Sequence, residues 1–547
     1  MDLNLVIEEA KPPVLLSLSN DFRNSLFLCH GRNFSTGVKK QNFKAGTWKT
    51  QEILLATLVC ILLIWYLHFL WSRRKLYHCS RRLPGPSVLT LLECFLRCII
   101  NPHSLFPFAM KLCDEYSGIF RVWFGPRLFL VTSEPKHYEI LLAHCLSKDK
   151  WYNFGEQAVG HGLFNAPLKT WKKHRKIIMP TFNQKILDGF VEIFSEQSQI
   201  LVEQMEKFAG KGEFDVFEEL ITKCTVDIIC ETAMGVKVSN QTTDDRPVSK
   251  WIDRVLENMF VRMFVFHYHF DAIFNLAARS KGDRAALKNF HDFSGSVIKE
   301  KKQLLDKARK QRKDSEDFVE ERKGKVFLDY LLEITADGNQ FTEQELRDEV
   351  NTFVITGSDT TASTIAFVLI MLGLHKELQE KVYEEIIEVV GPKRTVEKDD
   401  LPKLCHMDRF IKETLRLFPV AGFIARATEE EVDLGDQVIP GGVSVVFMIL
   451  STHTNKRFWP DPFKFDPDRF LPEEVEKRHP CAYIPFSYGR RNCIGMKYAM
   501  MSMKTLLATV MRKFKFDTSY KSVKEIELKF NTVMRPKDGY KLSLEPR

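Results

Sequence analysis

Phe486-Ser-Tyr-Gly489-Arg-Arg491-Asn-Cys493-Ile-Gly495 is the stretch on which the reading of this chain turns. It sets one cysteine in a tight glycine-flanked turn that opens onto a helix-like run over residues 494–514. Gly489 and Gly495 allow backbone conformations and close approaches that a Cβ would block, and amides at a helix N-terminus behind Cys493 favour a negative sulfur. A thiolate metal ligand requires that environment. A cysteine that only fills core requires none of it.

Outward from this turn, composition limits the possibilities. The 547 residues are 44% hydrophobic, enough to bury a large core, and no fixed-period repeat or long Gly/Ser linker follows residue 90. One large domain is expected. The twelve cysteines contain no zinc-like CxxC pairs, which fits free thiols in a reducing compartment better than a disulfide framework. The net charge of +8 is modest for this length and spread along the chain. That balance points away from nucleic acid and toward an anionic membrane surface or an acidic protein partner.

Residues 53–71 are mostly apolar and carry no Asp, Glu, Lys or Arg, a length that spans a bilayer core at helical rise. Arg73, Arg74, Lys75, Arg81 and Arg82 follow, then Leu83-Pro-Gly-Pro86. The expected order is an extension of unknown role over 1–50, a transmembrane anchor and basic stop over 51–75, a Pro/Gly hinge over 76–90 and a catalytic domain over 91–547. Lys39, Lys40, Lys44 and Lys49 on the other side of the span leave its orientation undecided by charge. Asp2, Glu8 and Glu9 argue against an acid-poor mitochondrial transit peptide, and the apolar stretch starts too late for a cleaved secretory signal. The extension reads as an appended or mis-assigned leader without a catalytic role.

Further segments carry patterns of their own. Trp171-Lys-Lys-His-Arg175 places Trp171 and Arg175 one helical turn apart, within reach of one carboxylate, while Lys172, Lys173 and Lys176 make a solvated basic face. Phe260, Phe264, Phe266, Tyr268, Phe270 and Phe274 crowd into residues 257–276, and residues 299–325 read as a charged, solvated helix and loop. Thr342 and Glu345 have capping-box spacing at the start of a long helix that runs apolar through Phe353 and Ile355 into Thr356-Gly-Ser-Asp359-Thr360-Thr361. Glycine and threonine in mid-helix cost on the order of 1 kcal/mol or less each against alanine, which predicts a local opening of the helical ladder. Glu413 and Arg416 are one turn apart, and Phe465-Asp-Pro-Asp-Arg469-Phe470 follows downstream. Residues 529–544 read as extended runs about the turn Pro536-Lys-Asp-Gly539.

Together these segments resemble those of the cytochromes P-450 over roughly residues 84–547, and most of all the microsomal clan that contains family 4. The resemblance implies a mainly α fold with small β-sheets (α+β), an N-terminal transmembrane anchor, a long central helix over a haem and small sheets near the substrate mouth. It implies haem b, with Cys493 as the iron ligand, Phe486 against the proximal side of the sulfur, and Gly495 in the same loop. Trp171, Arg175, Arg426 and Arg491 occupy positions that face the propionates. Asp359 would relay protons, and Thr360 would hydrogen-bond bound dioxygen or its water. Glu413, Arg416 and Arg469 would form a buried network that locks the cysteine loop. Phe353, Thr356, Gly357, Thr532 and Val533 would line the substrate pocket, and the aromatic segment would dip into the membrane as its gate. Many family 4 members carry, where this chain has Thr356, a glutamate that can esterify a haem methyl. A hydroxyl cannot form that ester, so the haem is expected to be non-covalent apart from the cysteine–iron bond.

The implied activity is monooxygenation, with one atom of O2 entering an apolar fatty acid, steroid or terpenoid hormone, or xenobiotic. Thiolate ligation favours the O–O cleavage this needs. With no Rossmann fingerprint and no flavin domain in the chain, electrons must come from a separate NADPH–cytochrome P-450 reductase, with cytochrome b5 as a further donor. The implied location is the endoplasmic reticulum membrane, single-pass, with the catalytic domain in the cytosol. One rival reading is a haem-thiolate isomerase or dehydratase acting on a peroxide, which Asp359 and Thr360 disfavour. A non-catalytic haem sensor is the other, disfavoured by the intact ligand and propionate positions.

Overall fold

Thr342 and Glu345 form the expected capping box. The Thr342 hydroxyl accepts from the Glu345 amide at 3.1 Å, and the Glu345 carboxylate accepts from the Thr342 amide at 2.7 Å. From this cap runs the 32-residue helix Glu343–Leu374, the central helix, which is buried along most of its length. It passes through Thr356-Gly-Ser-Asp-Thr-Thr without a break, so the opening expected there is not formed. The hydroxyls of Thr356, Ser358, Thr360 and Thr364 instead donate to the carbonyls four residues back, which satisfies them inside an intact ladder. Gly357 serves close packing: a Cβ there would lie 2.7 Å from the Cδ1 of Ile229.

This computed structural model describes residues 42–313 and 326–547, apart from Asp244, Arg246 and Asn339. Residues 1–41 of the expected extension and 314–325 of the charged run lie outside the described residues. Helices dominate, and the strands gather into small sheets. The largest has five strands in the order Ile119–Phe124, Arg127–Thr132, Ser444–Phe447, Ile424–Ala427 and Ser147–Lys148. The main hydrophobic core surrounds the central helix, with Ile365, Ala366, Phe367 and Ile370 fully enclosed.

The chain divides into two units, 1–72 and 73–547. In the first, the helix Asn42–Ser72 contains a 24-residue segment, Lys49–Ser72, long and apolar enough to cross a membrane and with no part of its most apolar stretch buried. The central helix passes the same test of length and composition, but 83% of its most apolar stretch is buried, as in a core helix. In the second unit, residues expected as a hinge are ordered: Arg74–Arg82 is a helix whose Ser80 hydroxyl accepts from the Trp123 indole at 2.8 Å. The Arg121 amide then donates to the Pro84 carbonyl at 2.9 Å, tying the Pro-Gly-Pro segment to the edge of the five-stranded sheet.

The end of the chain also differs from the expected single hairpin. Leu528–Asn531 pairs with Val533–Pro536 around Thr532, which takes a φ of 68°. The turn after Pro536 leads into Lys541–Pro546, which pairs with Phe214–Asp215 and Phe514–Asp517 in another sheet. The helix after the cysteine spans Met496–Met511, and Phe514, the last residue of the expected run, opens the strand Phe514–Asp517 instead.

Candidate active site

The cysteine loop is held by its own backbone. The Cys493 amide donates to the Phe486 carbonyl at 2.9 Å, and the Asn492 amide donates to the Gly489 carbonyl at 3.2 Å. Gly489 has a φ of 75°, and a Cβ there would lie 2.6 Å from the Leu142 carbonyl oxygen, so only glycine fits. Gly495 differs: its φ is −86°, and a Cβ would make ordinary contact with the Cys493 Sγ at 3.9 Å. Its contribution is its amide. Burial pushes the Cys493 thiol up, while the Gly495 N–H and the Arg175 guanidinium pull it back toward the anion. The sulfur opens onto one internal cavity of about 420 Å³.

That cavity gathers the predicted residues. Its wall includes Cys493, Phe486, Gly495, Trp171, Arg175, Arg426 and Arg491, with Asp359, Thr360, Phe353, Thr356, Gly357, Thr532 and Val533. Phe353 stacks on Phe182 and meets Phe327 at a tilt, at ring-centroid distances of 5.6 and 4.3 Å. Trp171 and Arg175 come from the helix Leu168–Ile178, where Arg175 donates to the Asn492 backbone oxygen at 3.2 Å and side-chain oxygen at 3.0 Å. Arg491 lies 4.9 Å over the Trp171 ring and donates to the Leu146 and Ala166 carbonyls. His174, between Lys173 and Arg175, is fully buried and bonds Glu349 of the central helix at 2.6 Å.

Around the cavity, positive charge is concentrated without a counter-ion. Arg426 and Lys148 sit directly opposite each other on adjacent antiparallel strands, a pairing that like charges disfavour. Burial holds the Lys148 ammonium well below its usual range, and Arg426 and Arg491 push it further down. Burial and the neighbouring Arg426 lower Arg491 to about 10. Among the described residues no carboxylate forms a salt bridge with Lys148, Arg175, Arg426 or Arg491, and the Nε of Arg491 is a buried donor without a partner.

On the central helix, Asp359 is 2% exposed and accepts from Arg535 at 2.7 Å. It is therefore clamped by a guanidinium. Burial raises its carboxyl, and Arg535 opposes that rise. Glu413, Arg416 and Arg469 lie away from the cavity. Arg416 donates to both Glu413 oxygens at 2.7 and 2.8 Å with both side chains fully buried, and Arg469 approaches Glu413 at 3.6 Å.

A family profile described as cytochrome P-450 matches residues 83–544. Cytochrome P-450 4c3 of Drosophila melanogaster is 33% identical over 489 residues, covering 87% of this chain and 91% of its own length. Cytochrome P-450 4V2 of Homo sapiens is 35% identical over 452 residues, covering 81% and 86%. The chain belongs to the cytochrome P-450 family. Its matched relatives place it with family 4, and it is a monooxygenase-type oxidoreductase. In three dimensions the cytochrome P-450DA haem domain superposes with a TM-score of 0.66 at 22% identity, covering 81% of this chain and 91% of that one, which shows the shared fold.

The cofactor of the cytochromes P-450 is haem b on a thiolate. The residues present fit it: a cysteine exposed to a largely apolar cavity, and four cationic side chains near it that lack an anion that two propionates would provide. Lys148 and Arg535 carry no local sequence signal that marks them as part of the site. Lys148 lies on a two-residue strand too short to read by pattern. Arg535 is two positions from the predicted pocket residue Val533, so strand alternation placed it within reach of the site.

Proposed function

We propose that this protein is a membrane-anchored family 4 monooxygenase that hydroxylates long apolar molecules drawn from the lipid phase: fatty acids, terpenoid or steroid hormones, or lipophilic xenobiotics. One observation carries this reading. A second apolar cavity of about 150 Å³ shares Trp151, Met263, Phe423 and Phe530 with the wall of the first, which supports a continuous apolar path. The path is bordered by the helices Val88–Ile100 and Val248–Phe264. Val88, Leu89, Leu92 and Leu96 on the first of these are exposed, as are Phe270, Ile273 and Leu276 just after the second. An apolar rim beside an apolar cavity suits a substrate that arrives from a bilayer.

Haem b, when bound, would supply the activation of dioxygen, and Cys493 would hold its iron. This chain's residues do the rest: Arg175, Arg426, Arg491 and Lys148 balance the propionates, and Trp171 stacks beneath Arg491. Thr360 and Asp359 hold and pass protons, and the apolar wall excludes water. Thr356 leaves the cofactor without an ester tether. Lys49–Ser72 anchors the protein in the endoplasmic reticulum membrane with the second unit in the cytosol. Lys172 and Lys176, both exposed, face an acidic donor, the NADPH–cytochrome P-450 reductase, with cytochrome b5 as a further donor.

The test is substrate-induced spectral shift across a panel of fatty acids, terpenoids, steroids and lipophilic drugs, followed by turnover with NADPH and the reductase. A shift and an NADPH-dependent hydroxylated product from at least one long apolar compound are expected. Product formed without NADPH, or no shift with any of them, would overturn the reading.

A further inference from the structure

Arg535 has two partners in different environments. Its Nη2 donates to the buried Asp359 at 2.7 Å and its Nη1 to Asp253 at 2.8 Å, a carboxylate whose side chain is 51% exposed. The guanidinium itself is 12% exposed, packs 4.6 Å over the Phe217 ring, and leaves its Nε unpartnered. The Oδ2 of Asp359 is likewise buried and unpartnered, on a residue that lines the cavity beside Thr360. Three elements meet at this cation: the central helix, the helix Val248–Phe264 that carries Asp253, and the strand Val533–Pro536. Next to that strand, close to the cavity, the Thr532 hydroxyl donates to the Leu256 carbonyl of the helix at 2.9 Å.

We propose that Arg535 is a positioning residue for Asp359, dividing one guanidinium between Asp359 and Asp253 and so setting the charge and orientation of the group that passes protons toward Thr360. The inference rests on the monooxygenase reading above and adds two residues to it. A fully paired aspartate cannot release and regain a proton readily, and an unpaired one in this enclosure stays neutral. A shared guanidinium holds it between those limits. Arg535 is absent from the cavity wall, whereas Asp359 lines it, so the guanidinium acts on the site from behind.

The signs of two substitutions separate this from a plain strut. Arg535 and Asp253 act on Asp359 in opposite directions, the first lowering and the second raising its proton affinity. The other groups facing the cluster are Tyr540, which interacts with both Asp359 and Arg535, and Glu218, which interacts with Arg535 and Asp253, with Asp215 beside both. Asp359 protonation is followed in the haem-loaded full-length protein by the infrared carbonyl band that Asp359→Asn removes. Arg535→Gln should raise the pH midpoint of that band by about one unit, a tenfold change in proton affinity, and Arg535→Lys should restore most of the difference. Asp253→Asn should move the midpoint the other way. In turnover, both Arg535→Gln and Asp253→Asn should lower kcat severalfold at unchanged KM and divert NADPH electrons to hydrogen peroxide. Midpoints that stay put or move in the same direction would overturn the proposal. Asp253 is half-exposed, so its variant tests the point even if Arg535→Gln fails to fold. Should the band shifts occur in a protein that makes no NADPH-dependent product, the monooxygenase reading fails and the shared clamp stands.

Discussion

His453 shows how one side chain can report on the whole core. Its ring is fully buried, donates from Nδ1 to the Arg416 carbonyl at 3.2 Å and accepts at Nε2 from the Ile484 amide at 3.0 Å, an arrangement only the neutral imidazole can make. Burial, aided by the nearby Arg416 charge, lowers its pKa from 6.5 to about 3. The unfolded chain therefore takes up a proton near pH 6.5 that the folded chain refuses until near pH 3. Stability from this group is complete above pH 6.5 and drains away as pH falls through that window. Between pH 7 and 5 the loss is about 2 kcal/mol. Urea unfolding of the native protein and of His453→Gln at both pH values checks this: the variant, less stable throughout, should lack that part of the acid-side decline.

At the scale of elements, a buried ion pair reaches the cysteine loop through several bonds. Arg416, paired with Glu413 on the helix Cys405–Leu417, donates to the His453 carbonyl at 2.9 Å; His453 accepts from the Ile484 amide; and the Ile484 carbonyl accepts from the Ser487 amide at 2.9 Å. Glu413 also accepts from the Asp466 amide at 2.9 Å, which fixes the segment that carries Arg469. Glu413→Gln strands the Arg416 charge in the interior at a cost of roughly 3–5 kcal/mol. Haem per polypeptide and the melting temperature should both fall, and full haem occupancy in the purified variant would contradict the proposed link. This network was only partly legible beforehand. Glu413 and Arg416 are one turn apart and announce a pair, whereas His453 and Ile484 meet through folding contacts that no local pattern encodes. The same contrast holds elsewhere. The cap at Thr342 and the turn at Gly489 are written in neighbouring residues and were read directly. Propensity alone predicts an opening in the central helix, because it leaves out the carbonyls that accept the threonine hydroxyls. Lys148 opposite Arg426 and Arg535 between two aspartates depend on strand pairings and helix approaches between residues far apart in the chain.

Over the whole molecule, the chain divides into two units, one holding a long apolar helix and the other the cavity. Among the described residues, the buried members of the hydrophobic clusters all lie from Cys79 onward. Large apolar side chains stand exposed on the surface of the second unit. Leu89 is 77% exposed and Leu276 is 86% exposed, on two segments that flank the lining of the second cavity, with Phe270 also exposed. Each such side chain gains on the order of 1.5–3 kcal/mol when it leaves water, enough in combination to hold a protein on a bilayer without a span. Protein lacking residues 1–72 should therefore load haem normally and still float with neutral phosphatidylcholine vesicles, unaffected by high salt because the contact is apolar. Replacing Leu89, Phe270 and Leu276 together with serine in that shortened protein should leave it in the soluble fraction with its haem retained. If the shortened protein is soluble before those replacements, these side chains do not meet the membrane, and the route by which apolar substrates enter must lie on another face.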